Sequence, residues 1–356
     1  MRKNWSLLLA LLSIIVIAVA CSNEEVTETD SNNETDEATN APAEPVSESE
    51  EPEESSFKNV YPFTGEPTND GVNNRAVAVM VNNHPEARPQ SGLSKADVVF
   101  EILSEYNITR LMAIFQSEQP EIVGPVRSAR PYYFHLADDY EAIYVYHGAA
   151  GFINDMITGG AVDHLNGAIY DNDKHLFKRE DFRVAPHNSY LLFDAVYEMA
   201  ENKGYEVHVD HREFPFLKEE AIETIDGEDA IEVSFHYTST PVRYTYDATT
   251  EKYSRFNGQM RTVELNSEEP IQLDNVLIME TYHEIVDDSG RREIDFESGG
   301  DAYLLQKGKV QQVEWKNVDG QILPYKDGAQ VGLVPGKTWI NVIPSSTGLE
   351  SVTFQK

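Results

Sequence analysis

The sequence contains one cysteine, Cys21, among 356 residues. A chain with a single cysteine has no internal disulfide and no thiolate cluster that could hold a metal ion. If Cys21 is acylated, the mature protein also lacks a free thiol. Cysteine-based catalysis, including thiol-dependent cell-wall transpeptidation, is then excluded.

Long apolar runs are scarce, and the clearest one lies at the start of the chain. Two basic residues, Arg2 and Lys3, precede an apolar run of 14 residues from Leu7 to Ala20, which ends at Cys21. This pattern predicts a signal peptide over residues 1–20 and lipidation of Cys21. The alternative is an uncleaved membrane anchor, although a membrane span needs about 20 apolar residues. We therefore expect an extracytoplasmic protein anchored by lipid to the cell membrane of a bacterium, and the lack of disulfides favours a Gram-positive one.

Positive charge is absent from the segment that follows. Residues 22–56 contain thirteen Asp or Glu and no Lys or Arg, and so polar a segment cannot offset the entropy of ordering by burial. We expect residues 21–56 to be the lipidated cysteine and a disordered acidic linker. The formal net charge is −33, of which −22 falls on residues 57–356. This charge argues against nucleic acid as a partner and against a polybasic membrane-binding surface, so membrane contact is expected through the lipid alone.

The composition changes near residues 212–230, which indicates two domains. Before that point, four short apolar segments predict strands that alternate with helices, at residues 75–81, 97–101, 111–115 and 142–146. Arg130-Pro131 predicts one helix start, and residues 189–203 predict a helix capped by Asn188-Ser189. After it, the sequence predicts strands at residues 231–237, 241–246, 253–257, 275–282, 302–306, 310–317 and 338–343, with tight turns at Asn257-Gly258 and Asp319-Gly320. The predicted fold class is α+β, with a mixed α/β domain over residues 57–220 and a smaller β-rich domain over residues 221–356.

Polar loops at strand ends are where sites lie in α/β folds, and three such loops contain arginine and histidine. They cover residues 82–93, 122–130 and 183–188. Arginine presents a planar fork of donors that matches carboxylate or phosphate. The alternative is that these arginines pair with carboxylates inside the fold, such as Glu86, Glu101, Glu105 and Asp181. If the loops converge, they predict a binding site for an anionic ligand formed by His84, Arg88, Gln90, Arg127, Ser128, Arg130, Arg183, His187 and Asn188.

The order of these motifs resembles that of the YerB-like bacterial lipoprotein family, a family of unknown function. The resemblance is carried by residues 82–93, 96–101 and 108–110, by Gly124 to Arg130, by Pro186-His187-Asn188, and by C-terminal segments at residues 275–276 and 336–340. It covers nearly all of residues 57–356. It implies a bacterial surface lipoprotein with two domains, the first mixed α/β and the second mostly β, and it implies no established activity.

The sequence indicates catalysis or metal binding less clearly than it indicates an anion-binding site. Ser128 lacks a nucleophile elbow, and no metal-binding or cofactor-binding motif is present, so we predict no metal and no cofactor. Carboxylate pairs such as Glu101 with Glu105 or Asp155 with Asp163 occur readily in so acidic a chain. The histidines His84, His147, His164 and His187 with Asp163 are scattered candidates for a metal. The tyrosines at residues 132, 133, 140, 144, 146 and 170 could stack on sugars, but core packing suits them better.

The sequence leaves the question of catalysis open and favours a binding or scaffold role. The first hypothesis is a surface lipoprotein whose N-terminal domain binds an anionic cell-envelope ligand, with peptidoglycan carboxylates as the preferred candidate. The second is a hydrolase or transferase that acts on a cell-wall polymer, with His147 or His187 as the base and Glu101 as the acid. The third is a scaffold that recruits cell-wall enzymes through its β domain, which an exposed apolar patch would favour.

Overall fold

The structure is a computed structural model that describes residues 57–237 and 241–356. The expected signal peptide, the lipidation site Cys21 and the acidic linker lie outside the described residues. Residues 54–356 form one compact unit. Among the residues that the structure describes, no helix is both long enough and apolar enough to span a membrane.

The first half of the described chain contains ten strands and three helices. The strands are β1 (Asn59–Val60), β2 (Pro67–Thr68), β3 (Val77–Asn82), β4 (Val98–Leu103), β5 (Thr109–Phe115), β6 (Ile122–Val123), β7 (Ile143–Tyr146), β8 (His164–Asn166), β9 (Phe177–Arg179) and β10 (Ser189–Leu192). The helices are α1 (Pro131–Asp139), α2 (Gly151–Met156) and α3 (Val196–Asn202), with a π-helical segment at Ile157–Ala161 and 3-10 turns at Pro85–Ala87, Leu93–Lys95 and Phe193–Ala195.

The second half is almost entirely β. Its one α-helix is α4 (Glu219–Ile222), and a 3-10 turn covers Leu349–Ser351. Its described strands are β11 (Glu228–Asp229), β12 (Glu232–His236), β13 (Pro241–Asp247), β14 (Lys252–Asn257), β15 (Met260–Arg261), β16 (Gln272–Leu273), β17 (Asn275–Thr281), β18 (His283–Ile285), β19 (Arg292–Ile294), β20 (Gly300–Gln306), β21 (Lys309–Val318), β22 (Gln321–Lys326), β23 (Ala329–Gln330), β24 (Thr338–Pro344) and β25 (Thr353–Gln355).

One large sheet contains strands from both halves of the chain. Its order is β23-β22-β21-β20-β17-β24-β4-β5-β3-β7-β8, with β11 paired to β21. The halves join where β24 pairs in parallel with β4, so that Trp339 lies opposite Val99. A smaller sheet of β15-β14-β13-β12-β25, with β16 on β14, and a three-stranded sheet of β6-β10-β9 complete the main architecture.

The large sheet lies between two hydrophobic cores, so both of its faces are buried and its side chains alternate between the cores. On β3, Val77, Val79 and Val81 belong to one core, whereas Ala78 and Met80 belong to the other. This period of two is that of a strand between two layers. Helix α1 covers one face with its buried aromatic residues, and the two smaller sheets cover the opposite face.

The predicted fold class was wrong, because the protein is β-rich rather than balanced between helix and strand. Strands make up 41% of the described part and helices 14%. No α-helix separates β3, β4 and β5: the connection from β3 to β4 contains only 3-10 turns, and β4 and β5 are an antiparallel pair, which needs no helical crossover. The predicted domain boundary at residue 220 remains a prediction.

The predicted helix at residues 189–203 was wrong over its first half. Ser189 to Leu192 form strand β10, which pairs with both β6 and β9, and α3 begins only at Val196. The buried side chains of Tyr190 and Leu191 show why pairing outweighs the apparent helical spacing. The helix that begins at Pro131 and the hairpin turn at Asp319-Gly320 are present as predicted.

Candidate functional site

The three polar loops converge at one edge of the large sheet. Strands β3 and β4 are both antiparallel to β5, and β7 is parallel to β3, so β3, β4 and β7 end at the same edge. The backbone of Arg127 holds its loop at this edge. The N–H of Arg127 donates to the carbonyl of Met80 at 2.8 Å, and the carbonyl of Arg127 accepts from the N–H of His147 at 2.9 Å.

A cavity of about 310 Å³ opens between these loops. Residues from the three loops line it together with the first residues of β5 and the loop that follows β4. Its charged and polar lining includes His84, Glu105, Arg110, Arg127, Ser128, Arg130 and His187. The structure therefore brings together five of the nine residues predicted for the ligand site, and whether they bind a ligand stays a prediction.

Among the described residues that line this cavity, Glu105 is the only carboxylate. It accepts a hydrogen bond from Arg110 at 3.0 Å and forms an ion pair with Arg130. Burial alone would raise the pKa of Glu105, but the two guanidinium groups and the Ser104 hydroxyl outweigh it, so the pKa lies below its ordinary value. Glu105 is therefore ionised and neutralises one of the three arginines that line the cavity.

Arg127 has no such partner. Its side chain is partly buried, and among residues 57–237 and 241–356 no hydrogen bond or ion pair engages its guanidinium. Burial, and then repulsion from Arg130, hold the pKa of Arg127 below its usual range, while attraction to Glu105 acts in the opposite direction. An uncompensated, partly buried cation is costly in isolation and suits an anion supplied from outside.

Two histidines form the opposite side of the cavity. The rings of His84 and His187 stack with centroids 4.7 Å apart. The side-chain oxygen of Asn82 accepts from the N–H of His84 at 3.0 Å, which turns the amide nitrogen of Asn82 towards Nδ1 of His187 at 2.8 Å. Nδ1 of His187 is thus an acceptor, and its proton belongs on Nε2. Burial, then His84 and Arg127, lower the pKa of His187, so the ring is neutral near pH 7.

His84, Glu86 and His187 are the one group in the described residues with three ligand atoms close enough for a metal ion, all within 4.8 Å of one another. The hydrogen bonds oppose this use. Nδ1 of His84 accepts from the N–H of Glu86 at 3.2 Å, and Nδ1 of His187 accepts from Asn82. A metal on either Nε2 would require moving the ring proton to Nδ1 and breaking these contacts. The arrangement suits a proton donor: Nε2 of His187 lies 3.3 Å from the carboxylate of Glu86.

Arg88 lines a second cavity of about 270 Å³ beside the first. His84 and Ile108 line both cavities. Arg88 donates to the side-chain oxygen and the backbone carbonyl of Asn83 at 3.0 and 2.7 Å. Gln90 is buried beneath, where its amide donates to the carbonyl of Asn82 and the side chain of Asn83. Gln90 therefore fixes the loop and is not itself exposed to a ligand.

Three further candidates lie outside both cavities and form contacts of their own. Arg183 donates to the hydroxyl of Tyr190 at 2.6 Å and to the carbonyl of Pro89. The side chain of Asn188 accepts from Arg179 at 2.7 Å. His147 lies 3.4 Å from Asp171. The contacts of Arg183 and Asn188 position the third loop.

Glu101, the acid of the catalytic alternative, is fully engaged. It pairs with Arg255 at 2.7 Å, and both side chains are 1% exposed. Its two oxygens also accept hydrogen bonds from Asn83, Thr109 and Trp339. Both oxygens are therefore occupied by donors inside the fold, in a side chain that is almost fully buried. This structure provides no support for Glu101 as a general acid.

The sequence prediction missed Arg110 as part of the cavity, whereas Glu105 was among the carboxylates considered as internal partners of the arginines. Arg110 was noted only within the motif at residues 108–110 that carries the family resemblance, and its position as the second residue of β5 places it at the edge where β3 and β4 end. The available signal was the position of Arg110 at the start of a strand. If that strand is antiparallel to its neighbours, its start lies at the sheet edge where they end. The predicted pairing of arginines with internal carboxylates holds for Arg130 but not for Arg127 or Arg88.

Comparison with known proteins gives the family. Residues 63–206 match the model for the N-terminal domain, and residues 231–340 the model for the C-terminal domain, of a protein of unknown function, DUF3048. The chain belongs to this family. The predicted YerB-like resemblance is confirmed.

Two similar proteins come from Bacillus subtilis. The chain is 43% identical over 285 residues to "Putative lipoprotein YerB" of strain 168. The aligned region covers 80% of this chain and 86% of that protein. A crystal structure of YerB protein from Bacillus subtilis has a TM-score of 0.77 and 41% identity, and covers 84% of this chain and all of that chain. A lipoprotein is thus the supported class for this family, and neither description assigns a ligand.

Proposed function

We propose that this protein is a lipid-anchored, extracytoplasmic binding protein that holds an anionic cell-envelope group at Arg127. The observation that carries the proposal is the partly buried guanidinium of Arg127, which has no partner among the described residues although the chain is strongly acidic. A protein with so many carboxylates could neutralise such a group internally. An external anion would restore the balance of charge.

The local field supports an anionic ligand. Arg110, Arg127 and Arg130 face one ionised carboxylate, Glu105, so the cavity has a net positive charge inside a protein with net charge −22 over residues 57–356. Concave walls of low dielectric focus such a field. The net negative charge of the rest of the protein would disfavour anions at other surfaces.

Peptidoglycan stem-peptide carboxylates are the ligand class that we prefer, because they are planar anions that a guanidinium binds through two parallel hydrogen bonds. At about 310 Å³ the cavity suits one such group with its nearest atoms and not a whole disaccharide. Ser128, which also lines the cavity, offers a hydroxyl for an additional hydrogen bond.

Co-sedimentation of residues 54–356 with purified, protein-free cell-wall sacculi tests the proposal. The folded unit contains both cores and every described sheet. Arg127→Gln should reduce binding at least tenfold, whereas the matched control Arg212→Gln, at an exposed arginine that contacts Val318 and Asp319, should not. Equal binding by the wild type and Arg127→Gln would remove the proposed role of the cavity.

A scaffold is the second candidate, because the hairpin of β18 and β19 carries exposed apolar side chains. Tyr282 and Ile285 are each 58% exposed and Val286 is 47% exposed. Exposed apolar groups of this kind are typical of protein contact sites. If cell-wall enzymes dock here, Ile285→Ser should abolish their co-purification without changing sacculus binding. Unchanged co-purification would argue against the scaffold role.

A further inference from the structure

Arg88 is the second arginine at this edge whose charge no described carboxylate neutralises. Its donors are directed at two neutral oxygens of Asn83. Asn83 is itself fixed, because its amide nitrogen donates to Glu101 at 3.1 Å and to Thr109 at 2.8 Å, which leaves its side-chain oxygen facing Arg88. The guanidinium of Arg88 is therefore held in position without losing its charge.

The nearby acid does not compensate Arg88. Glu101 lines the same cavity, but it already pairs with Arg255 at 2.7 Å. Burial, and then repulsion from Arg255, lower the pKa of Arg88 to about 10, against a smaller attraction to Glu101. Arg88 thus resembles Arg127 in being a partly buried cation with uncompensated charge.

The two cations lie in neighbouring cavities that share a wall. His84 and Ile108 line the cavity of Arg88 and also that of Arg127. Ile108 is 38% exposed, so the wall between the cavities is partly open to solvent. The two cavities are thus adjacent, with a solvent-exposed side chain between them.

We propose that the ligand carries two separate anionic groups, one held by Arg127 and the other by Arg88, with the connecting atoms lying over His84 and Ile108. This inference rests on the proposed function and specifies its ligand class: a dicarboxylate, or a peptide with carboxylates on two neighbouring residues. Two linked anions bind more tightly than two free ones, because the second binding step becomes intramolecular.

Titration of residues 54–356 with acetate and with dicarboxylates from malonate to pimelate tests the proposal. Wild-type protein should bind two acetates but one dicarboxylate, and one chain length should bind at least tenfold more tightly than acetate. Arg88→Gln and Arg127→Gln should each bind that dicarboxylate no more tightly than acetate, and each should bind one acetate. Arg212→Gln should behave as the wild type.

Arg88→Lys, which keeps the charge, provides a second variant in case Arg88→Gln fails to fold; it should retain part of the preference for the dicarboxylate. If Arg127→Gln abolishes binding while neither Arg88 substitution changes the dicarboxylate affinity, the ligand uses one anionic group, which overturns this inference and leaves the proposed function intact. Absence of any Arg127-dependent binding of acetate or dicarboxylates would overturn both.

Discussion

Glu101 and Glu105 lie four residues apart on β4 and the loop after it, and each of them binds arginine, but their surroundings differ. Glu101 lies between the sheets, where Arg255, Trp339, Thr109 and Asn83 saturate its oxygens and both members of the ion pair are 1% exposed. Glu105 lies at the sheet edge with its side chain 18% exposed and shares its charge between Arg110 and Arg130.

The difference lies in the balance of charge. At Glu101 one carboxylate meets one arginine, and the remaining contacts are neutral hydrogen-bond donors, so the cluster is closed. At Glu105 three arginines line the cavity around one carboxylate, and Arg127 has no partner among residues 57–237 and 241–356. A closed cluster joins two layers of the fold, whereas an open cluster with excess charge can accept a ligand.

The largest expected effect comes from breaking the closed cluster. Glu101→Gln should lower the free energy of unfolding of residues 54–356 by about 3–5 kcal/mol, because it leaves Arg255 as an unpaired buried charge. Denaturant titration followed by tryptophan fluorescence measures this loss. A loss below about 1 kcal/mol would mean that the pair does not join the layers as described.

Removing the carboxylate of the open cluster should have a smaller effect on stability and an opposite effect on binding. Glu105→Gln should cost about 1–3 kcal/mol, because Arg110 and Arg130 lose an acceptor. It should also tighten the binding of small anions severalfold, because the cavity becomes more positive. Denaturant titration and calorimetry with acetate measure the two effects. Weaker anion binding in a folded variant would contradict the electrostatic account.

Acidification should tighten anion binding through His187. Burial, together with His84 and Arg127, lowers the pKa of His187 below the ordinary histidine value. The ring is therefore neutral near pH 7 and becomes protonated only when the pH falls below the ordinary pKa of histidine. Anion affinity should therefore rise a few-fold from about pH 7 to about pH 5. His187→Gln should flatten that part of the profile measured by calorimetry. The same slope in wild type and variant would exclude His187 as its source.

The smallest effect on stability is expected at Arg127. Arg127→Gln should change the free energy of unfolding by no more than about 0.5 kcal/mol, because no described partner is lost. The matched control is Arg255→Gln in the closed cluster, which should be strongly destabilised. Similar losses in both variants would show that the guanidinium of Arg127 contributes to the fold.

The strands and the site were predictable to different degrees. Strands β3, β5 and β17 follow from short β-branched runs, since burial on both faces leaves a continuous apolar signal. The β-rich class was not recognised, because the strands of the first half were expected to alternate with helices, whereas no α-helix separates β3, β4 and β5. Ser189 to Leu192 added to the error, since their spacing suits a helix and only their pairing with β6 and β9 makes them a strand.

Within the site, residue type indicated the chemistry but could not decide pairing. The sequence suggested Arg127 and Arg130 equally, yet Arg130 reaches Glu105 and Arg127 does not. That distinction depends on where the loop after β4 lies, and this position is set partly by Arg292, which donates to the carbonyls of Ser104 and Tyr106 from a hairpin far along the chain. Such long-range contacts have no local signal.

The most direct test of the central claim is a crystal structure of residues 54–356 with a bound muropeptide tripeptide. The account predicts that a ligand carboxylate lies within hydrogen-bond distance of the guanidinium of Arg127, in the cavity that also contains Arg110 and Arg130. Binding of the muropeptide at another surface, with the cavity of Arg127 unchanged, would contradict it.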